Sequence, residues 1–277
     1  MAEESKYKEG KYIYCVIDFK EGDPEKNFGP LGMGERGDQL RSLSYKDIAA
    51  VISNSPIKKY PVSRENCLPH ERAIEAVMKE DFAVLPVRYC TIADDEVQVK
   101  KILKRDYKRF KDLLLKMQNK LELGLKAIFD EKLIYQDILA KNKEIRLWKE
   151  KLINKPPEKT YNQRIQVGRM VEAALNTEKE KARTVSLGIL KEVAEDYVVA
   201  DNYGERMLLN ASFLVKRSKE PEFDKKVNKL NERFGQRVKL KYVGGMPPFN
   251  FVCLEINLNV DGVELDAGSR RHTAFAR

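Results

Sequence analysis

The sequence has few of the residues that most often carry chemistry in proteins. Only two of its 277 residues are histidines, His70 and His272, and its four cysteines stand far apart, with no Cys-x-x-Cys pair. Zinc sites and disulfide scaffolds depend on closely spaced or paired cysteines, so neither is indicated. A catalytic triad or metal site built on His70 would need partners that the sequence does not show. We therefore expect no catalytic, metal-binding or cofactor-binding residues.

Long apolar runs are also missing. No segment approaches the roughly 20 apolar residues that cross a bilayer, and the N-terminus lacks the apolar core of a signal peptide. Hydrophobic residues make up 42% of the chain and charged residues 34%, a mixture typical of a folded, soluble protein. We expect a cytoplasmic protein with no membrane span, and the length favours two domains.

One nucleotide-binding pattern occurs, but its context is wrong. Residues 32–37, GMGERG, match G-x-G-x-x-G. They lie well beyond the first predicted strand and lead into no apolar-periodic helix, whereas a dinucleotide fingerprint joins a strand directly to a helix. A P-loop sequence is absent. We interpret residues 32–37 as an ordinary loop.

Positive charge is concentrated in the middle of the chain. The formal net charge is +9, and residues 100–120 hold nine Lys or Arg against two Asp or Glu. Apolar residues from Val99 to Leu121 recur every three or four positions, which predicts one long basic helix over Val97–Leu121. Its charged side is either a solvated helix face or a surface for an acidic partner. Nucleic acid is a weaker interpretation, because no aromatic residues are interleaved with the basic face.

The N-terminal half predicts an α+β domain over residues 1–130. Strands are indicated at 11–19, 48–53, 84–92 and 123–129 by β-branched and aromatic residues. A helix begins near Ser63 or Asn66 and ends near Glu80, and Pro69 is tolerated only if it lies in the first turn. The element order suggests a ferredoxin-like sheet covered by helices, with irregular connections at its start.

The C-terminal half predicts a smaller α+β domain over residues 131–262, with added helices in a segment at 131–195. Strands are expected at 197–201, 207–216, 238–243 and 251–258. A helix opens at Glu220 and ends at Gly235. Residues 263–277 look like a flexible tail.

Residues 244–252, GGMPPFNFV, form a Gly/Pro turn that leads into the last predicted strand. Gly244 or Gly245 is expected at positive φ, and the two prolines then exclude a helix. One interpretation is structural, with Phe249 and Phe251 entering the C-terminal core. The other is an exposed apolar lip that contacts a partner. That lip would consist of Met246, Pro247, Pro248 and Phe249.

Two further segments complete a recognisable pattern. The predicted helix carries His70-Glu71, and the strand that follows reads LPVRYCT over residues 85–91. Together with the Gly/Pro turn, these segments resemble the gas vesicle protein family of the F and L type. Cys90 stands where that family usually has glycine, and Pro69 precedes the histidine. Helix packing on the sheet predicts a polar clasp of His70, Glu71 and Arg88, in which Glu71 pairs with Arg88 and fixes the helix to the strand; a partner-binding surface is the alternative.

The resemblance extends over nearly the whole chain, including IAAVIS at residues 48–53 and GRMVE at 168–172. It implies a minor, non-enzymatic protein that is associated with gas vesicles. Such a protein would help assembly or nucleation by binding the small hydrophobic shell protein and other vesicle components. The competing hypothesis is a nucleic-acid-binding protein or an uncharacterised enzyme that uses the basic central helix.

Overall fold

The fold is known from a computed structural model, which describes residues 7–34 and 36–258. These residues form two compact units. The first unit contains residues 7–122 together with 245–258, and the second contains residues 123–244. No helix in the described ranges is both long and apolar enough to cross a membrane.

The first unit is built on one antiparallel sheet. Its strands are β1 (Glu9–Asp18), β2 (Arg41–Tyr45), β3 (Ile48–Pro56), β4 (Val84–Pro86) and β5 (Ile92–Ala93), and its helices are α1 (Arg64–Met78), α2 (Glu96–Arg105) and α3 (Tyr107–Met117). The strand order is β2-β3-β1-β4, and β5 also pairs with β1. This confirms a ferredoxin-like plan in which a loop replaces the helix between β1 and β2.

Alternation along the strands explains why both faces of this sheet are covered. In β3, Ile48, Ala50 and Ile52 join a core formed with α2 and α3. Ser53 lies on the opposite face, where its hydroxyl meets the Tyr14 hydroxyl. Strand β1 is buried along nearly its whole length and changes register between Ile13 and Cys15. A strand covered on both faces reads as a continuous apolar run, which is what β1 shows.

Three local predictions for the first unit need correction. The long helix predicted over Val97–Leu121 is two helices, because Asp106 leaves the helical region at φ −98° and ψ 12°. Residues 84–92 are two short strands, β4 and β5, separated by a turn in which Cys90 has φ 64°. Strand β2 was not predicted, since its RSLSY sequence contains no β-branched residue.

Helix α1 is capped by Ser63, one of the two residues predicted to cap it. The Ser63 side chain accepts a hydrogen bond from the backbone N–H of Asn66. Pro69 is the sixth residue of the helix rather than part of its first turn, so that prediction is wrong. A proline there cannot donate to the carbonyl four residues earlier, and packing of the helix on the sheet outweighs this local cost.

The second unit is a smaller sheet with helices added between its strands. Its strands are β6 (Lys120–Phe129), which starts just before the unit boundary, β7 (Asp196–Val199), β8 (Met207–Lys216) and β9 (Val238–Met246), and its helices are α4 (Glu131–Lys141), α5 (Lys143–Ile153), α6 (Tyr161–Lys191) and α7 (Glu220–Phe234). The strand order is β7-β8-β6-β9. Gly235 ends α7 at φ 55°, as predicted. The α+β class with added helices is therefore confirmed.

The end of the described chain departs most from the prediction. Residues 251–258 form no strand; Leu254 makes only an isolated parallel bridge with Val87. Val252 and Leu254 are buried in the core of the first unit, not in that of the second. The structure therefore divides the described chain differently from the predicted 1–130 and 131–262. The predicted tail at 263–277 lies outside the described residues.

Candidate functional site

His70 is the centre of a buried polar cluster between α1 and the sheet. Its Nδ1 lies 3.1 Å from the Tyr12 hydroxyl, and its Nε2 lies 3.2 Å from the carbonyl oxygen of Val87. A carbonyl can only accept, so Nε2 carries the proton and donates to Val87. Nδ1 then accepts from Tyr12, whose hydroxyl oxygen in turn accepts from the N–H of Cys90 at 2.8 Å. The hydrogen-bond network thus defines a neutral histidine.

A second chain of hydrogen bonds lies on the same face of the sheet. The Tyr14 hydroxyl accepts from the N–H of Met33 at 2.8 Å and meets the Ser53 hydroxyl at 2.8 Å. Met33 therefore belongs to a loop that covers this face, and the described residues 32–34 and 36–37 form no helix or strand, which agrees with the interpretation of this segment as a loop. A Cβ at Gly32 would lie 2.7 Å from the backbone oxygen of Asp38, so the first glycine of the pattern allows close packing.

The chemistry of this cluster is that of a structural device. Burial lowers the pKa of His70 to about 4 and raises the pKa values of the Tyr12 and Tyr14 hydroxyls. Burial likewise raises the pKa of the Cys15 thiol. All four groups are therefore neutral near pH 7, and the histidine and tyrosine side chains are hydrogen-bonded. Among the described residues no three His, Cys, Asp or Glu side chains are grouped to hold a metal ion.

Arg88 does not form the predicted clasp with Glu71. Its guanidinium donates to the Glu255 carboxylate at 3.2 Å, and its side chain is 64% exposed. The contact between helix and strand is made instead by His70, which reaches the Val87 carbonyl next to Arg88. Burying a neutral side chain costs less desolvation free energy than burying an ion pair, which favours His70 at this buried contact.

The Gly/Pro turn is held by a buried carboxylate. Glu122 accepts from the backbone N–H of Asn250 at 2.9 Å, and the Asn250 side-chain amide donates to its other oxygen. Gly245 has φ 69°, which confirms positive φ at one of the two glycines. Pro247 and Pro248 are buried, whereas Met246 and Phe249 are half-buried. None of the four residues of the predicted lip is exposed, and Phe249 and Phe251, both half-buried, do not fill the C-terminal core.

The surface of α2 and α3 carries several cations that form no ion pair within the described residues. Lys111 is bound to Asp47, and Arg105 donates to Asp106 at 2.7 Å. The other exposed cations of these helices form no ion pair with any described residue. They are Lys100, Lys101, Lys104, Lys108, Arg109 and Lys116. Positive charge is therefore in excess on this surface, and it attracts acidic partners.

A shallow groove, widely open to solvent, lies along α3 within the first unit. One wall is a stripe of the helix, with Lys108, Arg109 and Lys116 beside Leu113. The opposite wall is the segment Phe251–Leu254, which follows the Gly/Pro turn. The groove thus combines cations with apolar side chains.

This groove was not identified from the sequence. The basic stripe was visible in the spacing of Lys108, Arg109 and Lys116, but nothing local indicated that residues 251–254 would lie beside it. The chain separation between the two walls exceeds 130 residues, and only the return of the chain to the first unit brings them together.

Comparison with known proteins gives one family and a consistent set of relatives. Residues 10–253 match the profile described as "Gas vesicle synthesis protein GvpL/GvpF". "Gas vesicle protein F" of Dolichospermum flosaquae is 28% identical over 218 residues, which cover 78% of this chain and 88% of the relative. The protein of the same name from a Streptomyces species is 28% identical over 242 residues, covering 87% and 98%.

Solved structures show the same fold. The crystal structure of the gas vesicle protein GvpF from an Anabaena species superposes with a TM-score of 0.74 at 23% identity, covering 89% of this chain and 99% of that one. GvpF from Microcystis aeruginosa gives a TM-score of 0.66, also at 23% identity, covering 87% and 98%.

Proposed function

The chain belongs to the GvpL/GvpF family of gas vesicle synthesis proteins, and on that premise we propose that it acts in gas vesicle assembly by binding the small hydrophobic shell protein. The observation that carries the proposal is the family match over residues 10–253, which includes residues of both units. Other accessory proteins of the vesicle are further partners. The proposed role is non-enzymatic.

The chemistry of the candidate site supports a role without catalysis. The buried polar groups around His70 are neutral near pH 7, and their hydrogen bonds are directed at each other and at the backbone. Such an arrangement fixes α1 on the sheet, and it offers no exposed nucleophile beside a base.

Exposed apolar side chains support contact with a hydrophobic partner. The second unit carries most of the large ones, and several belong to its added helices: Tyr135, Leu147, Ile153, Tyr161 and Ile165. Tyr161 and Ile165 stand one turn apart on α6, 67% and 39% exposed. Arg164 binds the carbonyl of Leu152 at 3.1 Å, so this part of α6 is fixed to the end of α5. We assign the apolar contact with the shell protein to the exposed surface of α6 formed by Tyr161 and Ile165.

The test is a co-expression pull-down with the shell protein. The wild-type chain is expected to retain it, and a Tyr161→Glu/Ile165→Glu variant is expected to retain about tenfold less. A Gln163→Glu/Gln166→Glu variant is the matched control, because it adds the same charge to the same helix at two exposed positions. Deleting the gene is expected to abolish or severely reduce vesicle formation.

Three results would count against this proposal in different ways. Failure of the wild-type chain to retain the shell protein, with normal vesicles after deletion, would refute the assembly role. Equal loss of shell-protein retention in both variants would refute the assignment of the contact to Tyr161 and Ile165. Binding of nucleic acid in preference to the shell protein would favour the competing hypothesis.

A further inference from the structure

The groove along α3 has a composition that suits one kind of ligand. Four cations line it, and three of them, Lys108, Arg109 and Lys116, are exposed and have no ion-pair partner among the described residues. Two carboxylates line the groove as well: Asp106 is bound by Arg105, and Asp112 forms no ion pair within the described part of the chain. Positive charge is therefore in excess, and nothing in the described chain neutralises it.

The apolar part of the groove comes from both walls. Leu113 is half-buried between the cations, and Phe251 is half-buried on the opposite wall. Val252 and Leu254 lie beneath, in the core of the first unit. A ligand that lay in the groove would thus meet apolar carbon along its length and cations at the rim.

The spacing of the cations indicates a regular ligand. Lys108 and Lys116 are eight residues apart on one helix, which corresponds to roughly 12 Å along the axis at 1.5 Å per residue. Arg109 stands between them. A partner helix with acidic side chains eight residues apart presents carboxylates at the spacing of Lys108 and Lys116, with a residue other than an acid opposite Asp112 and its apolar stripe turned to Leu113 and Phe251.

From this arrangement we infer that the groove binds an acidic amphipathic helix of a protein partner. The inference adds to the proposed function a second surface, of different chemistry from the apolar surface on α6, and it rests on that function only for the partner's identity as a vesicle component. Nucleic acid fits the groove less well, because Phe251 is the only aromatic side chain lining it within the described chain, and stacking on bases needs several.

The inference can be tested with designed peptides and the full chain. The probe is a fluorescent helical peptide of about five turns in which leucines form one stripe and glutamates the other face. Two control peptides replace its glutamates by lysines or its leucines by serines. Fluorescence anisotropy is expected to show binding of the Glu/Leu peptide, at least tenfold weaker binding of the Glu/Ser peptide, and no binding of the Lys/Leu peptide.

Charge reversal in the groove provides the decisive variant. Lys108→Glu/Arg109→Glu should weaken binding of the Glu/Leu peptide by at least about tenfold, because two attractive contacts become repulsive. Lys100→Glu/Lys101→Glu is the matched control, since both lysines are exposed, unpaired within the described residues and outside the groove. The control should change affinity less than about threefold, because long-range charge is screened by salt. Thermal melting confirms that each variant is folded.

Several outcomes would overturn the inference. Equal weakening by both variants would show a general charge effect and no groove site. Undiminished binding to Lys108→Glu/Arg109→Glu, or equal affinity for the Glu/Ser peptide, would exclude the groove as an amphipathic site. Tighter binding of single-stranded DNA, with the same sensitivity to charge reversal, would assign the groove to nucleic acid. If wild-type protein binds the peptide but not the shell protein, the proposed function is refuted, while the inference that the groove binds an acidic amphipathic helix is supported.

Discussion

His70 joins α1 to the sheet as a neutral side chain, and this has a consequence for stability. The imidazole is 5% exposed and packs against the rings of Tyr12, Tyr14 and Tyr89. Its two nitrogens are used by Tyr12 and by the Val87 carbonyl. Protonation would add a proton at Nδ1, which now accepts, and would place a charge in an apolar environment. The folded state therefore resists protonation.

We predict that His70 makes the protein less stable in mild acid. Its pKa is about 4 in the folded state and 6.5 in the unfolded reference, so the unfolded chain binds the proton first. The stabilising effect is complete above the unfolded pKa and is lost as the pH falls from 6.5 towards about 4, by up to roughly 3 kcal/mol. Urea unfolding of wild type and His70→Gln at a series of pH values measures this.

The comparison with His70→Gln removes the effect of carboxylates, which titrate in both proteins. The difference between the two unfolding free energies should shrink as the pH is lowered through this window. A difference that stays constant from pH 7 to pH 4 would show that His70 does not titrate in the way described.

At the scale of elements, the turn at 245–252 is fixed by side chains that lie far away in the sequence. Glu122 and Asn250 are 128 residues apart, yet the Glu122 carboxylate accepts both the backbone and the side-chain N–H of Asn250. Glu122 is 1% exposed. Backbone bonds from Phe251 and Val252 to the Pro248 carbonyl, at 3.1 and 2.9 Å, tighten the turn. The turn therefore places Phe251–Leu254 beside α3.

We expect Asn250→Ala to destabilise the protein by roughly 1.5–3 kcal/mol, because a buried carboxylate would lose a charge-assisted hydrogen bond. Arg88→Ala is the control. It breaks only the exposed contact with Glu255 and should cost less than about 1 kcal/mol. Chemical denaturation of both variants gives the comparison. If Arg88→Ala proved the more damaging, the exposed pair would matter more to the fold than the anchored turn.

The break between α2 and α3 also belongs to this scale. Asp106 is disfavoured inside a helix, and its carboxylate is bound by Arg105. The apolar stripe from Val99 to Leu114 is nevertheless continuous in its burial, because both helices pack on the same core. The periodicity thus predicted the buried face correctly and the continuity of the helix wrongly.

For the whole molecule, the main feature is that the chain leaves the first unit and later returns to it. Residues 123–244 form the second unit, and residues 245–258 contribute Val252 and Leu254 to the core of the first. Both side chains are at most 8% exposed. The first unit is therefore incomplete until the chain has passed through the second.

This arrangement predicts the effect of truncation. A chain that ends at Gly244 loses the burial of Val252 and Leu254, which amounts to roughly 3–6 kcal/mol of the stability of the first unit. Hydrogen exchange should show lost protection in β1 and β3 and retained protection in β8. A chain that ends at Leu258 keeps both side chains and is the control. Equal protection of β1 in the two truncated chains would contradict the role of the returning segment.

The sequence by itself determined the features that depend on near neighbours. The end of α7 at Gly235, a cap at Ser63 or Asn66 and a positive φ at Gly244 or Gly245 follow from the conformations open to those residues, and the structure selects Ser63 and Gly245. The alternation of β3 and the helical spacing of the apolar residues in α2 and α3 follow from the repeat of each element. These rules also predicted the α+β class.

Only the tertiary structure decided which distant segments meet. It assigned β6 to the second sheet, gave Arg88 the carboxylate of Glu255 and placed residues 251–254 beside α3. It also buried Pro247 and Pro248, which the sequence left open between core and surface. Such pairings are selected by the free energy of packing whole elements together. A pattern that repeats within a few residues contains no information about a partner more than a hundred residues away.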